Sequence, residues 1–258
     1  MLLNLFRRFD PLEMDAVGPQ SATTLKMLEA SLVDARMTLA DDPALIADLL
    51  GWTARGRQRA DDLPGAQKLA AEAVDLLDGA NAPHDNAYAS ALAYLGYLQG
   101  LNGDRKAGQV KLDRALVMLE RNNRDDIHAL DILLLAAWHQ EGNWIEQKKL
   151  FQRVESLAQK LGRIPAMVEA GSGMGRSMAG LDEGEPAEAK LGNTLDLAKK
   201  YYGDDHPRLS IIYSDLGRLA ARQGKVEASI EYHRKALELA VTAYGSNHSG
   251  NLFHRNNL

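Results

Sequence analysis

The stretch that looks most like a chemical site is Gly171-Ser172-Gly173-Met174-Gly175-Arg176-Ser177. Glycines at that density beside serines suit a phosphate-cradling loop, because backbone N–H groups must come close to the anion. The detail rules it out. The lysine of the GxxxxGK[ST] spacing is missing, Arg176 stands where a GxGxxG fingerprint needs glycine, and no strand pattern precedes the run. The better reading is a helix surface on which another helix rests. The seven histidines are scattered, with no His-x-x-x-His or HExxH spacing, so no metal site is expected. The acidic pairs Asp41-Asp42, Asp61-Asp62, Asp125-Asp126 and Asp204-Asp205 all fall at breaks or helix starts. Carboxylates there meet the positive end of the helix dipole, which accounts for them without acid–base chemistry. No Ser/His/Asp arrangement has supporting context. The expectation is a non-catalytic protein without a cofactor.

Composition narrows the class further. The 258 residues are 45% hydrophobic and 25% charged, with a net charge of −5, which is ordinary for a globular chain and no argument for nucleic acid. Cysteine is absent, which excludes disulfides, thiolate metal sites and a cysteine nucleophile. Aromatics are few, and alanine and leucine are many, which favours helix over sheet. The longest apolar run, Ile132–Trp138, is well short of the ~18 residues that span a bilayer. Arg7 and Arg8 interrupt the apolar start where a signal peptide needs its core. A cytoplasmic location with no membrane span is therefore expected.

The elements that would position any binding residue are organised around Tyr202–Tyr244. Two helical apolar patterns flank a break at Gln223-Gly224-Lys225, with Leu216-Gly217 in the first and Ser229 and Ala236-Leu237 in the second. Small residues let two helices cross closely while large ones fill the seam. Three ladders run through the chain in one register. Gly217 is matched upstream by Gly175, Leu135, Gly96 and Ala54, and Ala236 by Thr194, Val154, Ala115 and Ala73. Ser229 is matched by Ala187, Gln147, Gly108 and Ala66. All three give spacings of 42, 40, 39 and 42 residues, the mark of a repeat array. Turn glycines stand at Gly103, Gly142 and Gly224, whereas the first and fourth repeats carry Asp61-Asp62-Leu63-Pro64 and Leu181–Pro186 instead.

Five helical hairpins are predicted, over 43–82, 85–123, 124–163, 164–203 and 206–245. The domain division is an N-terminal extension and leading helix over 1–40, the hairpins over 41–245, and a remainder over 246–258. Within the first part, Ser21–Ala40 reads as an amphipathic helix. In the last, Tyr244–His248 echoes Tyr202–His206, and Leu258 aligns with Leu216. That segment is either a polar cap or the start of a sixth repeat. Histidines 84 and 206 fall at turns between hairpins and His233 falls in mid-helix. Trp138 and Trp144 read as core, while Trp52 is ambiguous.

The Leu-Gly pair, the glycine turn and the Ala-Leu pair (Leu95-Gly96, Gly103, Ala115-Leu116; Leu216-Gly217, Gly224, Ala236-Leu237) resemble tetratricopeptide repeats. The period and the Tyr-Gly-Asp-Asp-His-Pro linker at 202–207 resemble the longer variety of kinesin light chains. The likeness covers most of the chain and implies an all-α, right-handed superhelical solenoid of antiparallel helical hairpins. It also implies a scaffold that binds a protein or peptide partner. A second likeness, over Leu2–Pro11, Thr23–Leu39 and Asp42–Leu50, is to the segment that leads into the repeats of bacterial serine/threonine protein kinases. It implies, as the alternative, a peptide- or ligand-sensing regulatory module.

In such arrays the first helix of each hairpin lines the concave groove. The resemblance then places Arg55, Arg59, Tyr97, Leu101, Gln140, Arg176, Arg218 and Arg222 in the groove, beside Ala136 and Gly180 at the matching positions. Five arginines at matched positions in an acidic protein suit an acidic segment, since guanidinium holds carboxylate bidentately. The competing expectation is that these arginines pair with acids of neighbouring repeats. The lysine–asparagine clamp of tail-binding relatives is absent, and only Asn256-Asn257 shows the light-chain type's asparagine. Oligomeric state stays open, with Leu252-Phe253 and the N-terminal helix as candidate contacts.

Overall fold

The computed structural model describes residues 21–39, 41–79, 86–123 and 125–244. The expectations for residues 1–20, for His84 and for the segment 246–258 lie outside the described residues. So do the Tyr244–His248 echo, the Leu252-Phe253 contact and Asn256-Asn257. The described residues form eleven α-helices and no strand. The first six are α1 (Ser21–Thr38), α2 (Pro43–Arg59), α3 (Leu63–Gly79), α4 (Asn86–Leu101), α5 (Arg105–Asn122) and α6 (Ile127–His139). The next five are α7 (Trp144–Lys160), α8 (Ile164–Gly180), α9 (Gly184–Tyr202), α10 (Leu209–Arg222) and α11 (Val226–Tyr244). They divide into two compact units, one of α1–α6 and one of α7–α11, with the boundary between His139 and Gln140. That boundary falls inside the third expected hairpin, whose two helices are described with their own units.

Several acids mark helix starts because they cap them. The carboxylates of Asp42, Asp62, Asp104 and Asp126 accept from the backbone N–H three residues on, at 3.1, 2.9, 3.1 and 2.9 Å. Each satisfies one of the donors that a helix start leaves without a partner. Pro43 follows Asp42 in the first turn of α2, where a missing N–H is harmless.

In the N-terminal unit, α2 packs on α3 and α4 on α5, with α1 against α2 and α6 against α4 and α5. Leu28, Leu49, Leu50, Leu98, Leu112, Leu130 and Ile132 are fully buried there. In the C-terminal unit, α8 packs on both α7 and α9, and α10 on α11. Its core centres on Phe151, Leu191, Leu209 and Ile212.

The sequence ladders are the places where paired helices touch. At α4 and α5, a β-carbon on Gly96 would lie 2.7 Å from the Gly108 carbonyl oxygen, and one on Gly108 would lie 2.4 Å from that of Gly96. At α10 and α11, the Ser229 hydroxyl donates to the Gly217 carbonyl at 2.9 Å. Ala54 and Ala66, at the same positions of the first hairpin, are both fully buried. Gln147, the largest residue on its ladder, is also fully buried and accepts from the Ser177 hydroxyl at 2.9 Å. The second ladder, Ala73, Ala115, Val154, Thr194 and Ala236, is buried throughout. Size is held small at these sites because large side chains would separate the helices.

The glycine-rich run of 171–177 lies wholly within α8. Its glycines are contact points. β-Carbons at Gly171, Gly173 and Gly175 would come within 2.2, 2.2 and 2.5 Å of Thr194, Phe151 and Leu191. The turns between paired helices share one geometry despite their different sequences. Gly103, Gly142 and Gly224 have φ of +92, +95 and +73°, and Asp61 and Asp182 take the same place with φ of +61 and +59°.

Candidate functional site

The residues expected in the groove sit on the first helices of hairpins, and each unit gathers its own set. In the N-terminal unit the centre is Asp131 of α6. It accepts from Arg55 Nη2 of α2 at 2.6 Å and from the Ser90 hydroxyl of α4 at 2.7 Å. The Arg55 guanidinium also lies 4.2 Å from the centre of the Tyr94 ring, a distance at which the cation meets the negative ring face. Tyr94 is buried and donates to Gln58 Oε1 at 2.9 Å. Burial pushes its hydroxyl far above the usual tyrosine range, so it stays a neutral donor. Arg59 is exposed on the next turn of α2, Tyr97 is half-buried and Leu101 is 50% exposed. The matching Ala136 is fully buried.

In the C-terminal unit the centre is Asp215 of α10, whose side chain is only 1% exposed. It accepts from the Ser172 hydroxyl at 2.7 Å and from Arg176 Nε and Nη2 of α8 at 3.1 and 3.2 Å. Arg218, one turn further along α10, also donates to it. One buried carboxylate therefore receives a serine hydroxyl and two guanidiniums, the arrangement that a buried charge needs. The Arg176 and Arg218 side chains remain 19% and 33% exposed. Arg222 lies one more turn along and bonds Asp182 Oδ1 at 2.6 Å, with the two side chains 52% and 87% exposed. Gln140 is half-buried at the start of this unit, and Gly180 carries Trp144 against it.

The sequence-predicted residues thus fall into two sets. Arg55 keeps company with Arg59, Tyr97 and Leu101 in one unit. Arg176, Arg218 and Arg222 share the other with Gln140. The competing expectation, that the arginines pair with acids of other repeats, holds for Arg55, Arg176 and Arg222, but the particular acids Asp131, Asp215 and Asp182 were not singled out in the sequence. Asp215 aligns in the repeat register with Trp52, Tyr94, Leu133 and Gly173, and Asp131 interrupts the apolar run of α6. A lone acid inside a buried helical stripe was the available signal. Among the described residues no group of three histidine, aspartate or glutamate side chains is placed to hold a metal ion. No described helix is long and apolar enough to cross a membrane.

Two histidines lie in the helix crossings and outside these sets. His139 is buried against Gly100 and Gly108, and His233 against Gly217. Burial lowers the pKa of both, with Arg105 adding to the effect at the first and Arg218 at the second. His206 stacks on Tyr202, ring centres 4.4 Å apart, at the turn between α9 and α10.

Comparison with known proteins agrees with the fold. Residues 170–240 match the family model of the tetratricopeptide repeat. No curated protein sequence matches the chain. Among solved structures, BtubC (BKLC) from P. vanneervenii is similar at a TM-score of 0.65 and 15% identity, over 88% of this chain and 94% of that one. The nearly identical TPR-like repeats of a putative kinesin light chain from Podosopora anserina are similar at a TM-score of 0.60 and 15% identity. That match covers 78% of this chain and 97% of the other. Residues 170–240 are thus tetratricopeptide repeats by sequence, and the described chain has the all-α, hairpin-repeat fold of kinesin-light-chain-like repeat proteins.

Proposed function

We propose that the chain is a non-catalytic protein-interaction scaffold, and that the first-helix face of its C-terminal unit takes up an acidic segment of a protein partner. One observation carries the reading. The Arg176 and Arg218 guanidiniums are fixed on the buried Asp215 while part of each side chain still reaches solvent. A guanidinium already held in place loses less side-chain freedom when it meets a ligand carboxylate, so more of the interaction appears as affinity. Arg222 extends the same helix face by one turn. The fold supports the coarser reading, since repeat surfaces of this kind serve as binding faces.

The test is fluorescence anisotropy with labelled hexaglutamate, hexaglutamine and hexalysine peptides at low and high salt. Hexaglutamate is expected to bind best, and its binding to weaken as salt screens the charges. An Arg218→Gln/Arg222→Gln variant that keeps its helical circular dichroism is expected to lose most of that binding. Equal binding of all three peptides, or no effect of the double substitution, refutes the acidic-segment reading.

A further inference from the structure

The arginines of the C-terminal unit differ in how firmly their acids hold them. Arg176 and Arg218 bond to Asp215, whose side chain is 1% exposed. Releasing either would take from a buried carboxylate one of its two guanidiniums, so these contacts persist when a ligand arrives. Arg222 bonds to Asp182, and that pair is 52% and 87% exposed. An ion pair so well solvated contributes little and exchanges readily.

Asp182 also stands in an unusual place. It occupies the left-handed position of the turn between α8 and α9, at φ +59°. In three other turns of the array that position is glycine, at Gly103, Gly142 and Gly224. Glycine takes this conformation at no steric cost, and aspartate tolerates it but is not required for it. The turn itself therefore does not call for aspartate. What aspartate adds is the carboxylate on Arg222.

We infer that Asp182 is an internal occupant of the Arg222 subsite, and that a carboxylate side chain of the partner displaces it. The inference rests on the acidic-segment reading and deepens it. Arg222 becomes the exchangeable contact that reads the partner's acid, while Arg176 and Arg218 form a fixed cationic floor. Asp182 sets the threshold, because a neutral or weakly acidic segment gains nothing by replacing it. Asp61 stands at the same turn position in the first hairpin, where the residue that matches Arg222 in the second hairpin is Leu101.

The experiment measures hexaglutamate anisotropy at low salt for wild type, Asp182→Asn, Asp182→Gly, Arg222→Gln and the Asp182→Asn/Arg222→Gln double variant. Asparagine keeps the shape and tolerates the left-handed turn, and glycine relieves it. Both are expected to tighten binding by about two- to fivefold, the factor that corresponds to losing an exposed competing ion pair. Arg222→Gln is expected to weaken binding, and in its presence Asp182→Asn should have no effect. Wild-type binding that Asp182→Asn and Asp182→Gly leave unchanged overturns the displaced-occupant inference alone. So does a gain from Asp182→Asn that persists without Arg222, which would be a general charge effect. Hexaglutamate binding no better than hexaglutamine in wild type and in Asp182→Asn overturns the acidic-segment reading and this inference together.

Discussion

The His233 imidazole lies directly on Gly217, so close that a β-carbon added at position 217 would sit 2.7 Å from Nε2. The ring is rigid and buried, and the Ser229 hydroxyl holds the Gly217 carbonyl from α11. Gly217→Ala therefore sets two effects against each other. Alanine is the better helix former by about 1 kcal/mol. Overpacking a close-packed crossing costs about 1–3 kcal/mol. The packing cost wins, and a drop in melting temperature is expected. A variant as stable as wild type would mean that the ring has room to move.

Gly192 supplies the opposite case. It lies within α9, and a β-carbon there meets nothing within 4 Å. Only the helix-propensity effect remains, so Gly192→Ala is expected to stabilise by up to ~1 kcal/mol. Chemical denaturation of the two alanine variants side by side checks both signs.

His139 and His233 make stability depend on pH. Burial depresses both pKa values below the usual 6.5. At His139 the guanidinium of Arg105 adds repulsion, while a hydrogen bond of the imidazole with the Arg105 backbone and the charge of Asp113 oppose the shift. At His233 the added repulsion comes from Arg218. The unfolded chain then binds protons that the folded chain refuses. Stability from these groups is full above about pH 6.5 and is lost as the pH falls below it toward the lower folded values. Thermal melts between pH 7.5 and 5 are expected to show this decline. His233→Phe should flatten its share, since the Nδ1 of His233 has no hydrogen-bond partner among the described residues. An unchanged slope in that variant would assign the acid sensitivity elsewhere.

Asp215→Asn separates a buried acid from a half-exposed one. The amide keeps the size but replaces one acceptor oxygen with a donor facing Ser172 and two guanidiniums. A loss of about 3 kcal/mol is expected, the lower end for breaking a buried pair, because both arginines reach solvent. Asp131→Asn should cost less, since that side chain is 22% exposed. Urea midpoints of the two variants test the order.

Much of the fold was legible because a repeat states its packing several times. Gly96 and Gly108, or Gly217 and Ser229, are small for a reason that recurs at several crossings, and recurrence separates that reason from chance. The helix starts were legible because a cap such as Asp42 or Asp104 acts on a backbone N–H three residues away. The turns at Asp61 and Asp182 read as departures, yet they have the glycine geometry, because aspartate tolerates a left-handed φ.

The sequence by itself therefore determined the helices, their pairing register and the absence of familiar catalytic motifs, all of which rest on contacts between near neighbours or on repetition. Only the tertiary structure decided what the arginines do. Arg55 meets Asp131 from 76 residues away, and Arg176 meets Asp215 from 39. Neither distance is encoded in a local pattern. A buried acid and a surface acid look alike in a sequence, and only the fold shows that Asp215 is held in the core while Asp182 lies open to solvent.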